Sequence, residues 1–145
     1  MKRMSYQTIR TERIFIMAKM NVLVIEPLKT PYTKTIDDSL ESLQHEVDGY
    51  IECVYFFDEP VVIICNEEGK INGLKPNRAL KDERGSVLDV IAGTFIMCGI
   101  TDTDFCSLSD EYIQKFTEYF GNGEYFIRLG SKLIAVPADK VTVNA

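Results

Sequence analysis

The sequence predicts an α+β fold: a mixed, mostly antiparallel sheet with two helices packed on one face. Short apolar runs of strand character follow one another closely along the 145-residue chain. Two other stretches repeat apolar residues at helical spacing, each between a capping residue and a glycine. Strands that are neighbours in sequence and joined by short loops favour antiparallel pairing, which leaves the helices to cover the sheet.

The first two predicted strands are residues 21–26 and 32–36. β-branched residues are frequent in the first run, which stops at Pro27. In the second run apolar and polar residues alternate, which is the pattern of a half-buried strand. Pro27 and Pro31 bracket the turn between the two strands.

A helix is predicted directly after the second strand. Asp37, Asp38 or Ser39 is suited to cap its first turn, and Gly49 is placed to end it. Its apolar stripe recurs at i, i+3 and i+7, as Leu40, Leu43 and Val47.

The middle of the chain predicts a hairpin of residues 50–56 and 61–65. The second of these strands is apolar on both faces, which is typical of a central strand. Residues 71–84 are irregular in pattern, with one helical turn expected at residues 77–80. Residues 89–99 are expected to form a single core strand, with Gly93 as a bulge.

The second helix is predicted to open at Ser107, where Asp110 completes a capping box, although Ser109 is an equally suitable cap. Aromatic residues at helical spacing form its apolar face. The remaining pattern predicts a last hairpin over residues 124–136, turned by Gly130 and Ser131.

Charge is distributed unevenly along the chain. The net charge is −6, yet residues 1–19 sum to +4, so the remaining residues carry −10. Ten carboxylates and no Lys or Arg lie between Asp37 and Glu68. Such a body is expected to repel nucleic acid and to attract basic proteins. The predicted partner-binding acidic face consists of Asp37, Asp38, Glu41, Glu46, Asp48, Asp58 and Glu59.

Length and composition favour one domain, which the C-terminal hairpin and tail of residues 122–145 complete, and the unpaired cysteines favour a reducing cytoplasm. Residues 1–19 are interpreted as a basic N-terminal extension, with alternative starts at Met17 or Met20. This segment lacks the apolar core of a signal peptide. No apolar run has the length of a membrane span.

The sequence contains no motif of a metal, cofactor or catalytic site. Its four cysteines form no C-x-x-C pair, and its single histidine is His45, so we expect no metal and no cofactor. Phosphate-binding glycine loops and the G-x-S-x-G motif are also missing. These observations favour a binding protein over an enzyme.

A polar segment offers an alternative, small-ligand site. Asn66, Lys70, Asn77 and Arg78 follow a predicted core strand, and an arginine is suited to bind a carboxylate or phosphate in bidentate fashion. The structural alternative is that the two asparagines satisfy turn backbone while Arg78 pairs with a neighbouring acid.

Several motifs in order resemble the DUF3846 family. They are the opening strand that runs into Pro27, G-Y-I-E at residues 49–52, N-E-E-G-K at 66–70, N-R-A-L at 77–80 and I-A-G-T-F at 91–95. The resemblance covers about residues 20–121. It implies a small cytoplasmic domain of Gram-positive bacteria, their phages and conjugative elements, often encoded near antirestriction genes, and it implies no activity or catalytic residues.

Two functions are therefore expected from the sequence. The first is a non-enzymatic binding protein of a mobile element or phage, an acidic inhibitor of a nucleic-acid-binding host defence protein. The second is a domain that binds a nucleotide-like ligand at the Asn66–Arg78 region. The 15 Phe and Tyr residues leave two further interpretations open, a buried core or the surface of a homo-oligomer.

Overall fold

The computed structural model describes residues 1–5 and 18–142 of the chain. The strands in this part are β1 (Lys2–Ser5), β2 (Lys19–Ile25), β3 (Tyr32–Asp37), β4 (Ile51–Tyr55), β5 (Val61–Asn66), β6 (Pro76–Lys81), β7 (Val87–Ala92), β8 (Phe95–Ile100), β9 (Phe105–Cys106), β10 (Glu124–Leu129) and β11 (Lys132–Pro137). Helix α1 (Leu40–Val47) follows β3, and helix α2 (Asp110–Phe120) follows β9. A 3-10 turn, Ala138–Lys140, follows β11.

The main sheet has the strand order β1-β4-β5-β8-β2-β3, and β9 pairs with β8 beside it. The pairings recorded within this sheet are antiparallel. Strand β5 lies in the interior, and its six residues are all buried. The predicted hairpin and the central position of its second strand are therefore confirmed, because a strand that is apolar on both faces must be covered on both sides.

The two faces of the sheet are covered by different elements. Alternation along β2 sends Val22 and Val24 into one core and Leu23 into the other. The first core contains Leu43 and Val47 of α1. The second core contains Phe116 and Phe120 of α2, together with Leu80 of β6 and Ile91 of β7. The α+β fold and the antiparallel sheet are confirmed, but the helices lie against opposite faces, so the expectation of a single helical face was wrong.

Both helices begin at a serine. Ser39 caps α1 by accepting a hydrogen bond from the Ser42 N–H, and Ser109 caps α2 by accepting one from the Tyr112 N–H. Of the three cap candidates for α1, Ser39 is therefore the one used, and Asp37 belongs to β3 instead. The C-cap is Asp48, one residue before the predicted glycine, and it takes the left-handed conformation at φ 58°.

The β6–β7 ribbon corrects two predictions. Residues 77–80, expected as a helical turn, lie in β6: residues 78–80 pair with β7, and Asn77 falls at a register shift. The expected single strand of residues 89–99 is instead β7 and β8, because the chain turns at Gly93 with φ +79°. This turn takes β7 out of the main sheet, and the ribbon covers the core on the α2 side.

The ends of the described chain also pair as strands. β10 and β11 form the predicted hairpin, closed by the pair Leu129 and Lys132 around Gly130 and Ser131. β1, within the predicted N-terminal extension, pairs with β4 at the edge of the main sheet. Residues 6–17 of that extension lie outside the described residues, and Lys19 at its end already belongs to β2. Within the described ranges, neither helix is long and apolar enough to span a bilayer.

Candidate functional site

The seven carboxylates of the predicted acidic face fall into different environments. Asp37 forms an ion pair with Lys19, and Glu59 forms one with Lys115. Glu46 lies 2.6 Å from the Lys34 ammonium and is almost buried. Asp38 is 6% exposed. These four carboxylates are therefore neutralised or removed from the surface and contribute little to attracting a partner.

The other three carboxylates, Glu41, Asp48 and Asp58, are exposed. None of them has a Lys or Arg partner among the residues that the structure describes. Glu41 lies in the first turn of α1, and Asp48 is the residue that caps its C-terminal end. Asp58 lies in the β4–β5 turn, away from them.

That turn belongs to the opposite side of the sheet. Its Phe57 ring packs against Phe116 of α2 with 4.6 Å between centroids, and its Glu59 accepts a hydrogen bond from Lys115 of α2. Since α1 covers the other face, the two halves of the predicted acidic face do not form one continuous surface.

A smaller cluster does form at the end of α1. Asp48 and Glu68 line one surface depression of about 290 Å³, together with the ring of Tyr50. Glu68 was outside the predicted face, because it follows β5 in sequence and only the fold brings it to α1. Tyr50 is 62% exposed. We refer to Asp48, Tyr50 and Glu68, together with Glu41 in the first turn of α1, as the acidic surface.

Asn66 holds the acidic surface together. Its side-chain NH₂ donates to the carbonyls of Val47 and Asp48 at 3.0 and 3.1 Å. Its side-chain oxygen accepts from the Glu68 N–H at 2.8 Å. One buried amide thus fastens the end of α1 to the turn after β5, a structural role, although the sequence made Asn66 a candidate ligand.

The side chains of Asn77 and Arg78 also donate hydrogen bonds to other groups of the protein interior. The Asn77 side chain donates to the carbonyls of Ile25 and Gly93 at 2.8 and 2.9 Å. Arg78 is 0% exposed. It donates to Phe120 O at 2.8 Å, Lys29 O at 2.6 Å, Gly121 O at 3.0 Å, Asn77 Oδ1 at 2.7 Å, and Glu26 O and Asn77 O at 3.3 Å.

The guanidinium of Arg78 donates to five backbone carbonyls and to Asn77 Oδ1. The structural alternative from the sequence had instead paired Arg78 with a neighbouring acid. Burial lowers the pKa of its guanidinium, and the charge of Glu124 acts against that shift. The group stays protonated, because arginine does not lose its proton in proteins. Its donors are occupied, so it is not placed to bind a ligand.

Lys70 is the exposed member of the predicted ligand set. Its ammonium lies 2.5 Å from Asp89, which also pairs with Arg3. Arg3 in turn pairs with Glu52. Asn66 and Lys70 line one small cavity of about 170 Å³. Because Asn77 and Arg78 do not line this cavity, the four predicted ligands do not converge on one site.

Cys65 lines the same small cavity. Burial raises the pKa of its thiol to about 12, so it is protonated at neutral pH and is a poor nucleophile. All four cysteines are free. Within the described ranges, no group of three or more His, Cys, Asp or Glu side chains is arranged to hold a metal ion.

A larger groove, of about 910 Å³, lies between the β6–β7 and β10–β11 ribbons. Its lining includes the cations Lys70, Arg84, Arg128 and Lys132. Sequence reasoning missed this groove, because its two walls are more than 30 residues apart in the chain and no spacing rule links them.

Comparison with known proteins places the chain in a family. A family model described as "Domain of unknown function (DUF3846)" matches residues 20–121. The chain belongs to the DUF3846 family. The resemblance deduced from the sequence motifs is therefore confirmed. The DUF3846 match runs from β2 through α2 and contains the whole acidic surface, whereas β1 and the β10–β11 hairpin lie outside it. Searches of curated proteins and of solved structures found no match.

Proposed function

We propose that this DUF3846 protein is a non-enzymatic binding protein that engages a basic partner protein through its acidic surface. The observation that carries the proposal is the group Glu41, Asp48 and Glu68, which has no neutralising Lys or Arg among the described residues. Other carboxylates of the same stretch, Asp37 and Glu46, do have such partners. Uncompensated charge produces a field that attracts opposite charge.

The rigidity of this surface supports a binding role. Asn66 fixes the helix end to the following turn through three hydrogen bonds. A partner therefore meets carboxylates whose backbone is already ordered, which lowers the entropic cost of association. The exposed Tyr50 ring adds an aromatic contact of the type that is enriched at protein interfaces.

The proposed partner class is a host defence protein that binds nucleic acid, and the proposed setting is a mobile element or phage. Proteins that neutralise phosphates present clusters of Lys and Arg. A surface of fixed carboxylates is complementary to such clusters and would compete with nucleic acid for them. The setting follows from what the family resemblance implies.

A small-ligand function at Asn66, Lys70, Asn77 and Arg78 has less support. The side-chain donors of Asn66, Asn77 and Arg78 are engaged with protein acceptors, and Lys70 is paired with Asp89. A ligand at these residues would have to displace those hydrogen bonds, which would leave buried carbonyl groups unsatisfied.

The test is capture of partners from host lysate, with quantification by mass spectrometry. The test variant combines Glu41→Gln, Asp48→Asn and Glu68→Gln. Asparagine tolerates the left-handed backbone of residue 48. The control combines Asp102→Asn, Glu118→Gln and Asp139→Asn, which removes the same charge from exposed positions elsewhere.

We expect a basic nucleic-acid-binding protein to be captured by the wild type and the control and to bind the test variant about tenfold more weakly. This estimate takes about 0.5 kcal/mol per exposed charge pair. Excess nucleic acid should release the partner. Equal capture by both variants, or a partner that nucleic acid does not displace, contradicts the proposal.

A further inference from the structure

We propose that the groove between the β6–β7 and β10–β11 ribbons is a second binding site, which takes a nucleoside polyphosphate. Its volume of about 910 Å³ lies within the range of small-molecule pockets. Glu124 joins the two walls, because its carboxylate accepts from the Ala79 N–H and from the Lys81 ammonium, both at 2.8 Å. The groove is thus built by the fold, and one of its walls lies outside the matched family region.

Three cations at the groove have no counter-ion among the residues that the structure describes. Arg84, Arg128 and Lys132 are exposed, and within the described part of the chain no carboxylate pairs with them. Lys34 and Lys115, by contrast, have acidic partners. Asp89 also lines the groove but is paired with Lys70, and in the β10–β11 register Lys132 lies on the opposite side of the ribbon from Arg128. The uncompensated Arg84 and Arg128 in this concave surface favour an anionic ligand, and arginine forks match phosphate oxygens.

The same groove has an apolar wall. In the β10–β11 register Phe126 faces Ala135 and Arg128 faces Leu133, so these four side chains share one side of the ribbon. That side contributes to the groove lining. Leu88, which is 57% exposed, lies on the other wall. A ligand that joins a planar apolar group to phosphates satisfies both surfaces, and a nucleotide is such a molecule.

The geometry favours a small molecule over an extended peptide. A peptide would bind a ribbon by adding a strand to a free edge. At the opposed pair Ala79 and Val90, however, both amide groups are already occupied: Ala79 N–H donates to Glu124 and Val90 N–H donates to Asp89. Carboxylates that cover edge amides block strand addition.

The test is isothermal titration calorimetry of the full chain with ATP, inorganic triphosphate and adenosine as probes. The groove variant combines Arg84→Gln, Arg128→Gln and Lys132→Gln. The matched control combines Lys2→Gln, Lys75→Gln and Lys140→Gln, which removes equal charge from exposed lysines outside the groove. Far-ultraviolet circular dichroism establishes that each variant is folded.

We expect wild type and control to bind ATP equally, and the groove variant to bind it at least about tenfold more weakly. Triphosphate should bind more weakly than ATP, and adenosine more weakly still. Absence of ATP binding by the wild type, or equal loss in both variants, overturns the proposed site. Triphosphate binding as tight as that of ATP overturns the nucleoside assignment. These results are independent of the acidic surface, whose residues are unchanged.

Discussion

Replacement of Arg78 by methionine tests the conclusion that this residue is structural. Its guanidinium connects β6 to the turn after β2 and to the end of α2, through Lys29 O, Phe120 O and Gly121 O. Methionine fills a similar volume but donates no hydrogen bond. The variant therefore leaves these carbonyls in the interior without their donor.

The magnitude follows from the hydrogen bonds. Within the described structure, four of them are 3.0 Å or shorter. Each bond from a charged donor contributes about 1.5–3 kcal/mol. Removal of the buried charge recovers several kcal/mol of its desolvation cost. The expected net loss is therefore about 3–5 kcal/mol, which is a large part of the roughly 5–15 kcal/mol that stabilises a typical domain.

The assay is equilibrium urea unfolding monitored by circular dichroism at neutral pH. Arg84→Met is the stability control, because Arg84 is exposed and its side chain has no recorded partner among the described residues. It should change the free energy of unfolding by less than about 0.5 kcal/mol. Arg78→Lys keeps the charge but not the fork, and we expect it to lose about 2–3 kcal/mol.

Two results would refute this reasoning. A loss below about 1 kcal/mol in Arg78→Met would mean that the hydrogen bonds barely exceed the desolvation cost. Wild-type stability in Arg78→Lys would mean that charge, and not the planar geometry, is what the site requires. The lysine variant keeps the test decisive if the methionine variant does not fold.

Two further predictions concern local packing and charge. Gly123→Ala should lower the urea unfolding midpoint more than Gly85→Ala. Both glycines have positive φ, but an added Cβ at residue 123 would lie 2.6 Å from Leu28 Cα, whereas residue 85 faces open space. Equal losses in urea unfolding would show that the close approach does not matter. The hydrogen bond from Lys115 lowers the pKa of Glu59 below its ordinary 4.5. The pair therefore stabilises the fold at pH values above 4.5, and this stabilisation is lost as the pH falls through the lowered pKa. Lys115→Gln should therefore be less stable than wild type at neutral pH, and urea titrations at decreasing pH should show the two curves converge as Glu59 is protonated. A difference that acid leaves unchanged would argue against the ion pair.

Much of the secondary structure was accessible from the sequence, because it depends on local patterns. The runs that became β2 and β5 are continuous and apolar, and serine caps precede both helices. The last hairpin was also predicted, since Gly130 and Ser131 suit a two-residue turn. Residues 77–80 were mistaken for a helical turn, because burial in a ribbon outweighs local propensity.

The placement of the two helices on opposite faces of the sheet is indicated by one feature of the sequence. β5 is apolar on both faces, and such a strand requires cover on both sides of the sheet. α1 and α2 supply that cover from opposite directions. Which helix covers which face depends on the chain path between β3 and β10, and no local pattern encodes it.

The sequence by itself determined several of the strands, the two helices, the family and the excess of carboxylates between Asp37 and Glu68. Only the tertiary structure decided which of these carboxylates remain uncompensated. Glu59 meets Lys115 from 56 positions away, whereas Glu68 comes to lie beside Asp48, and no Lys or Arg of the described residues pairs with either of them. Electrostatic attraction depends on distance in space, and strand pairing and helix packing set that distance. For the same reason the sequence does not predict the cationic groove, because Arg84 and Arg128 share a surface only once the two ribbons have packed together.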